Sequence, residues 1–261
     1  MTQIIFRTTG NGPALLLLHA FPVTSAMWSS QLDALCDEAN ALAPDLPGFG
    51  ASSEAAMPST LDALAQQIYE GSRERGIDRA VVAGCSMGGY LAFAMLRVAP
   101  QFVRALALIN TKATADTEPA RAKRLALAER AEREGCAFLV DEWPPGALSP
   151  ATFAHNLAAV AGVRAMIEQA TPQGVSAAQR AMAQRPDASA LLAAISVPCI
   201  VVHGLDDPMI SGADAQSMAA AITGARFIGI PAAGHLPSVE QPALVSAALR
   251  ELLARTEQLQ A

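Results

Sequence analysis

The sequence predicts an α/β fold with a mostly parallel β-sheet. Short apolar runs rich in β-branched or leucine side chains recur without polar alternation at 14–18, 80–83, 105–109, 197–202 and 226–230. Such runs are typical of strands that are buried on both faces. Longer segments with helical spacing of their apolar residues separate most of the runs, and this alternation predicts a parallel sheet flanked by helices.

The composition supports one globular domain spanning residues 1–261. The chain has 52% hydrophobic and 16% charged residues, which is enough apolar side chain for a large core, and α/β folds of this length often form one domain. The formal net charge is -6, with no block of lysine or arginine. Binding to nucleic acid or to an anionic membrane requires such a block. We therefore expect neither partner, and a small molecule suits this charge better.

The sequence contains no pattern typical of targeting, membrane-spanning or metal-binding segments. The first residues lack a basic region followed by a long apolar one, and no stretch approaches about 18 uninterrupted apolar residues. The four cysteines lie far apart, without a C-x-x-C pair or a histidine at metal-ligand spacing. We expect a cytoplasmic protein with reduced thiols, no metal and no cofactor. No pattern indicates an oligomeric state.

The beginning of the chain predicts an antiparallel edge of the sheet. Residues 4–9 form an apolar and β-branched run, and glycine-rich turn residues at 10–13 separate it from the run at 14–18. Two short strands joined by such a turn usually pair as a hairpin. We therefore expect this hairpin at the edge of the sheet.

One region, residues 112–190, interrupts the alternation of strands and helices. Its apolar residues have helical spacing in three segments: 119–134, 149–169 and 176–185. A turn-rich break at 143–146 separates two of them. We expect a helical insertion that divides the core into residues 1–111 and 191–261. Such an insertion either lies over the sheet and shapes a substrate pocket, or forms an added core layer.

A serine occupies a predicted sharp turn between a strand and a helix. Gly84-Cys85-Ser86-Met87-Gly88 follows the apolar run at 80–83, and a helical segment begins after it. Glycines on both sides of Ser86 permit a strained turn that lies close to neighbouring backbone. Such a turn presents the hydroxyl of Ser86 as a nucleophile. The side chain of Cys85 points away from that of Ser86 in an extended strand, so we expect Cys85 to pack in the core.

A serine nucleophile requires a base, and the base requires an orienting carboxylate. Of the four histidines, only His235 follows both the serine and a carboxylate at a strand end. The run at 197–202 leads into Asp206 and Asp207, and catalytic groups of open α/β sheets gather at the carboxyl ends of the strands. Either aspartate is therefore a candidate for the acid.

Five segments together resemble the motifs of the α/β-hydrolase superfamily. They are His19-Ala20-Phe21-Pro22, Pro44 to Ser52, Gly84 to Gly88, Gly204-Leu205-Asp206-Asp207, and Gly234-His235 with Pro237, Glu240 and Pro242. Any one of them is a weak signal, but all of them in this order are specific, and the resemblance covers nearly the whole chain. It implies an α/β-hydrolase fold with a helical cap inserted after the sixth strand.

The resemblance also implies roles for individual residues. Ser86 is the expected nucleophile, His235 the general base and Asp207 the acid, since the G-x-x-D spacing selects Asp207 over the aspartate before it. The backbone N–H groups of Phe21 and Met87 are the expected oxyanion hole. The residue before Phe21 is alanine, where the family usually has glycine, which reduces the backbone freedom of this loop.

Within the superfamily, the turn around Ser86, the short cap and the final motif most resemble 3-oxoadipate enol-lactonase-like hydrolases and carboxylesterases. This resemblance implies hydrolysis of small-molecule esters or lactones through an acyl-enzyme, and we favour a general carboxylesterase over the enol-lactonase. C–C bond hydrolysis, perhydrolysis and ligand binding without catalysis are alternatives on the same scaffold. The candidate cations for a substrate carboxylate are Arg121, Arg124, Arg164 and Lys112, and the candidate pocket-lining aromatic residues are Trp143 and Phe153.

Overall fold

A single seven-stranded sheet forms the centre of the protein. The computed structural model describes residues 3–258. The strands are β1 (Phe6–Thr9), β2 (Ala14–Leu18), β3 (Asn40–Pro44), β4 (Ala80–Cys85), β5 (Val103–Ile109), β6 (Cys199–Gly204) and β7 (Arg226–Ile230), in the order β1-β3-β2-β4-β5-β6-β7. β1 runs antiparallel to β3, and the other neighbouring pairs are parallel. The prediction of a mostly parallel α/β sheet is confirmed.

The described residues contain twelve α-helices. They are α1 (Ser29–Ala34), α2 (Leu61–Glu74), α3 (Met87–Val98), α4 (Glu118–Glu134), α5 (Leu139–Glu142), α6 (Pro150–His155), α7 (Leu157–Ile167), α8 (Pro172–Ala183), α9 (Ser189–Leu192), α10 (Gly212–Ala221), α11 (Pro237–Glu240) and α12 (Pro242–Gln258). α1 contacts α12, α2 contacts α3, and both α3 and α12 contact strands directly. The central strands β4 and β6 are therefore buried along their whole length. Within residues 3–258, no helix is long and apolar enough to cross a lipid bilayer.

The prediction of an N-terminal hairpin is wrong, although β1 is an antiparallel edge strand as expected. β1 pairs with β3, and β3 lies between β1 and β2. The sequence of β3 is Asn-Ala-Leu-Ala-Pro, which has no β-branched or aromatic side chain, so strand propensity does not reveal it. Its residues after Asn40 are all buried, and tertiary packing therefore decides its conformation.

The segment between β5 and β6 is helical and contains α4 to α9. α4 packs against α8. The helical conformation is interrupted at Asn156, between α6 and α7. The Asn156 side chain accepts a hydrogen bond from the Ala159 N–H and caps α7. The helical insertion follows the fifth strand, so its placement after the sixth strand is wrong. The antiparallel edge strand is β1, so five strands, β1 to β5, precede the insertion in the described sheet, and β6 and β7 follow it.

Candidate active site

Ser86 occupies a strained turn between β4 and α3. Its backbone has φ 53° and ψ -111°, a left-handed conformation that is unfavourable for a residue with a Cβ atom. A Cβ atom at Gly84 would collide with the carbonyl of Gly88, and one at Gly88 would collide with the carbonyl of Leu18. The turn therefore requires glycine at both positions.

Two hydrogen bonds fix this turn without using the hydroxyl of Ser86. The Ser86 N–H donates to the carbonyl of Ile109 at 2.9 Å, and the Thr111 hydroxyl donates to the Ser86 carbonyl at 2.9 Å. The Ser86 side chain makes no capping bond to α3. A serine that served as a helix cap would accept such a bond, so the hydroxyl is available for chemistry.

Asp207 and His235 form a buried pair. Asp207 lies in the loop after β6, and His235 lies in the loop after β7. The Nδ1 atom of His235 lies 2.9 Å from Oδ2 of Asp207, and the two side chains are 3% and 0% exposed. Oδ1 of Asp207 accepts a bond from the Met209 N–H at 2.8 Å. Asp206 is exposed, and its N–H donates to the Ala233 carbonyl. The structure therefore brings Asp207, and not Asp206, into contact with His235.

Ser86 and His235 line the same cleft, with no direct hydrogen bond between their side chains. Such bonds are often long in unliganded enzymes and shorten when substrate binds. The ring of Trp143 packs edge-on against the ring of His235, with 6.4 Å between the ring centroids. Trp143 therefore limits how far the imidazole can turn.

Glu240 holds the loop that carries His235. Its buried carboxylate accepts bonds from the N–H groups of Gly234 (3.0 Å) and Leu236 (3.2 Å), and from the Ser149 N–H (2.8 Å) of the helical insertion. The His235 N–H donates to the carbonyl of Ala147 at 2.7 Å. The histidine loop is therefore bonded to the insertion directly, through the His235 N–H, and indirectly, through Glu240.

Asn110 connects the histidine loop to the end of β6, the strand that precedes Asp207. Its Nδ2 atom donates to the Gly234 carbonyl at 2.7 Å, and its Oδ1 atom accepts from the Gly204 N–H at 2.8 Å. Sequence reasoning missed this residue. The available signal was an asparagine directly after β5, because asparagine tolerates the left-handed backbone that occurs here (φ 41°).

The loop after β2 and the start of α3 present two free backbone donors. No acceptor within the described residues is found for the N–H of Phe21 or that of Met87, the first residue of α3. Unpaired N–H groups at a helix start favour negative charge. Ala20, where glycine is usual in the resembling motif, is not among the residues with positive φ, so its Cβ atom is tolerated without strain.

His19 and Asp45 have structural roles behind this loop. The Nε2 atom of His19 accepts from the Leu46 N–H at 2.9 Å, which requires Nδ1 to donate to the Ala20 carbonyl at 2.9 Å. Burial lowers the pKa of His19, which favours this neutral form. The carboxylate of Asp45 accepts from the N–H groups of Ser25 and Ala51. Both residues fix loop backbone.

Cys85 is fully buried beneath the site. Its thiol donates to the His235 carbonyl over 3.6 Å. Burial raises the pKa of Cys85 well above its ordinary value, and the carboxylates of Asp207 and Glu240 raise it further. A thiol in this environment stays protonated and is a poor nucleophile.

The cleft at the site has a volume of about 490 Å³. Its lining comes from both the core and the insertion: Phe21, Ser86, Tyr90, Lys112, Asp116, Ala120, Lys123, Arg124, Leu127, Trp143, Gln179, Met182, Pro208, Met209, Ile210 and His235. Arg124, Lys112 and Trp143 thus lie where the sequence predicts, whereas Arg121, Arg164 and Phe153 do not line the cleft. A groove of about 600 Å³ elsewhere, beside Phe6 and α2, contains none of the predicted site residues.

No group of three or more histidine, cysteine, aspartate or glutamate side chains in the described part of the chain is arranged to hold a metal ion. The four cysteines, all of which are described, are unpaired.

Known proteins with similar sequences or structures include esterases and lactonases. Residues 15–248 match the profile of the Alpha/beta hydrolase family. A pimeloyl-[acyl-carrier protein] methyl ester esterase of Nitrosomonas europaea is 27% identical, over 93% of this chain and 96% of its own length. The 3-oxoadipate enol-lactonase 1 of Acinetobacter baylyi is 28% identical, over 89% of this chain and 85% of its own length. The solved structure of a thermophilic esterase from Thermogutta terrifontis, with malate bound, has a TM-score of 0.94 and 38% identity, covering 97% of this chain and 93% of that one. By this match and by the order of its strands, the chain belongs to the alpha/beta hydrolase family.

Proposed function

We propose that the protein hydrolyses carboxylic esters or lactones of small molecules, with Ser86 as nucleophile, His235 as general base and Asp207 as the orienting acid. The observation that carries the proposal is the buried His235–Asp207 pair, 2.9 Å between Nδ1 and Oδ2, in the cleft that Ser86 lines. The similarity to an esterase and to an enol-lactonase over most of the chain supports hydrolysis of ester bonds in general.

In the first half of the reaction, Nε2 of His235 accepts the proton of Ser86 as Oγ attacks the acyl carbon. The carbonyl electron pair moves onto its oxygen, and the N–H groups of Phe21 and Met87 stabilise the resulting oxyanion. Asp207 accepts the Nδ1 proton of His235 in a hydrogen bond, which stabilises the imidazolium. Collapse of the tetrahedral intermediate breaks the bond to the alcohol oxygen, which takes the proton from Nε2.

In the second half, water replaces the alcohol. His235 accepts a proton from that water, the hydroxide oxygen attacks the acyl-Ser86 carbonyl, and the same oxyanion hole stabilises the second intermediate. Its collapse releases the carboxylic acid and returns the proton to Oγ of Ser86. With a lactone, the alcohol and the acid are two ends of one product, so the chemistry of each step is unchanged.

We further propose that the helical insertion acts as a cap over the core of a single domain. Supporting this, α4 and α8 contribute Lys123, Arg124, Leu127, Gln179 and Met182 to the lining of the cleft. A cap that supplies this much of the lining determines which acyl and alcohol groups fit, and it excludes water from the reacting atoms.

The test is the hydrolysis of 4-nitrophenyl acetate and butyrate by the wild type, Ser86→Ala and Cys85→Ala. We expect Ser86→Ala to reduce kcat by about 10⁴-fold or more, because triad members act as a unit. Cys85→Ala is the matched control, since it removes the neighbouring thiol and keeps the hydroxyl, and we expect it to retain most of the activity. Equal activity of Ser86→Ala and the wild type, or no activity in either, would contradict the proposal.

A further inference from the structure

The part of the cleft that faces the helical insertion is positively charged. Lys112, Lys123 and Arg124 line it, and Asp116 is the only carboxylate among the lining residues. The protein as a whole has a formal net charge of -6, so this wall is opposite in sign to the average surface. A concentration of positive charge in a cleft with low-dielectric walls attracts anionic ligands.

Asp116 does not neutralise this wall. Its side chain is 2% exposed, and its carboxylate contacts Arg124, Arg185 (2.8 Å) and Lys112 (3.6 Å). Burial by itself would raise the pKa of Asp116, but the hydrogen bonds and charges of Arg185 and Arg124 outweigh it and lower the pKa to about 2. Asp116 is shared by three cations, and Arg185 also has Asp187 as a neighbour. Among the residues that line the cleft, the three cations still outnumber the one carboxylate, which leaves an excess of positive charge there.

Arg124 is held in one orientation. Its Nε atom donates to Asp116, and its Nη1 atom donates to Oε1 of Gln179 at 3.2 Å. The side chain is 22% exposed and lines the cleft. A planar guanidinium that is fixed in advance loses little conformational entropy when it binds a carboxylate.

Lys123 has no ion pair or hydrogen bond to another side chain of residues 3–258, although it lines the cleft and is exposed. Arg130 and Arg133 on the same helix instead pair with glutamates. Lys123 therefore adds charge to the cleft without a structural partner.

We propose that Arg124 and Lys123 bind a carboxylate group of the substrate, so that the ester or lactone cleaved at Ser86 is one that carries a free carboxylate. This inference rests on the proposed function. Arg124 provides the oriented hydrogen bonds, and Lys123 provides a mobile charge at the rim. The two residues determine specificity and take no part in bond cleavage.

The experiment compares two esters that differ only at one end. Mono(4-nitrophenyl) glutarate carries a carboxylate where 4-nitrophenyl pentanoate carries a methyl group. The readout is the ratio of kcat/KM for the anionic ester to that for the neutral ester, with the Ser86→Ala rate subtracted as background. Arg121→Gln is the matched control for Lys123→Gln, since both residues are exposed cations on α4 and only Lys123 lines the cleft.

We expect the wild type to prefer the anionic ester. Lys123→Gln should lower the ratio by about threefold, as for an exposed charge pair, and Arg124→Gln by about tenfold or more, as for a hydrogen bond to a charged group. Arg121→Gln should leave this ratio unchanged, and it should also leave kcat for the neutral ester unchanged, because Arg121 does not line the cleft. Lys123→Glu keeps the test decisive if Arg124→Gln folds poorly, because we expect it to lower the ratio further than Lys123→Gln does.

Two results would overturn the inference: a wild type that does not prefer the anionic ester, or a ratio that falls equally in Lys123→Gln and Arg121→Gln. If no ester is hydrolysed, the proposed function fails separately. Titration calorimetry with glutarate then decides the inference, since binding that weakens in Lys123→Glu and not in Arg121→Gln supports the anion site. Absence of glutarate binding to the wild type contradicts it.

Discussion

The replacement Asp207→Asn tests the role of the acid with the smallest change in shape. Oδ1 of Asp207 accepts from the Met209 N–H, and both carboxylate oxygens face Nδ1 of His235, Oδ2 at 2.9 Å and Oδ1 at 3.1 Å. An asparagine at this position would keep its oxygen toward Met209 and turn its NH₂ group toward His235. That NH₂ group is a donor and would take the shorter of the two contacts with Nδ1. We therefore expect Nδ1 to accept and the remaining ring proton to move to Nε2. A histidine in this tautomer cannot accept the proton of Ser86.

The magnitude follows from that loss of the base. In a Ser-His-Asp site, the wrong tautomer lowers kcat by about 10⁴-fold, which corresponds to about 5 kcal/mol of transition-state stabilisation at about 1.4 kcal/mol for each tenfold change. Asp206 is exposed and makes no contact with His235, so Asp206→Asn removes only a screened charge. We expect a change of about threefold or less for Asp206→Asn.

The assay is kcat/KM for 4-nitrophenyl butyrate in both variants and the wild type, with thermal unfolding to show that each variant is folded. A larger fall in Asp206→Asn than in Asp207→Asn would refute the assignment of the acid. A fall of less than tenfold in folded Asp207→Asn would refute the tautomer argument itself.

Three further predictions concern the surroundings of the site. Glu240→Gln places an NH₂ group against the N–H of either Ser149 or the histidine loop. We expect thermal or urea unfolding to show about 1–3 kcal/mol of destabilisation, and kinetics to show a lower kcat with little change in KM. An unchanged kcat would contradict the role of Glu240 in positioning His235. The pKa of Asp116 is lowered from 3.8 to about 2. Its contribution to the free energy of unfolding, about 2 kcal/mol, is therefore complete above pH 3.8 and is lost as the pH falls towards 2. Between these pH values, the free energy of unfolding should fall less in Asp116→Asn than in the wild type. Gly88→Ala drives a Cβ atom into the Leu18 carbonyl, and we expect about 1–3 kcal/mol of destabilisation with lower esterase activity, which a wild-type Tm would contradict.

The parts of the fold that the sequence predicts are those where local pattern and tertiary environment agree. The run at 80–83 consists of alanine and valine and forms β4, which is buried on both faces. The same reasoning does not identify β3, because alanine has a low propensity for strands. The strand conformation of β3 depends on its burial in the fold. The pairing of β1 likewise depends on β3, so the hairpin prediction failed together with the missing strand.

At the candidate site, the structure brings together the predicted residues on short loops at strand ends, whereas only some of the predicted residues on the insertion line the cleft. Ser86, Asp207 and His235 follow strands whose direction the sequence predicts, so their shared edge of the sheet follows from topology. The choice among the cations depends on how α4 rotates against α8. That rotation turns Arg124 toward the cleft and Arg121 away from it, and the weak amphipathic pattern of α4 does not determine it.

The most direct measurement of the central claim is the position of covalent labelling by 4-nitrophenyl diethyl phosphate. Attack by an activated serine would release 4-nitrophenol and leave a stable diethylphosphoryl group, which mass spectrometry of a proteolytic digest locates. The account predicts one group per chain, on Ser86, with esterase activity lost in proportion to labelling and no label in Ser86→Ala or Asp207→Asn over the same time. Labelling of a different residue, or inactivation of the wild type without a label on Ser86, would contradict it.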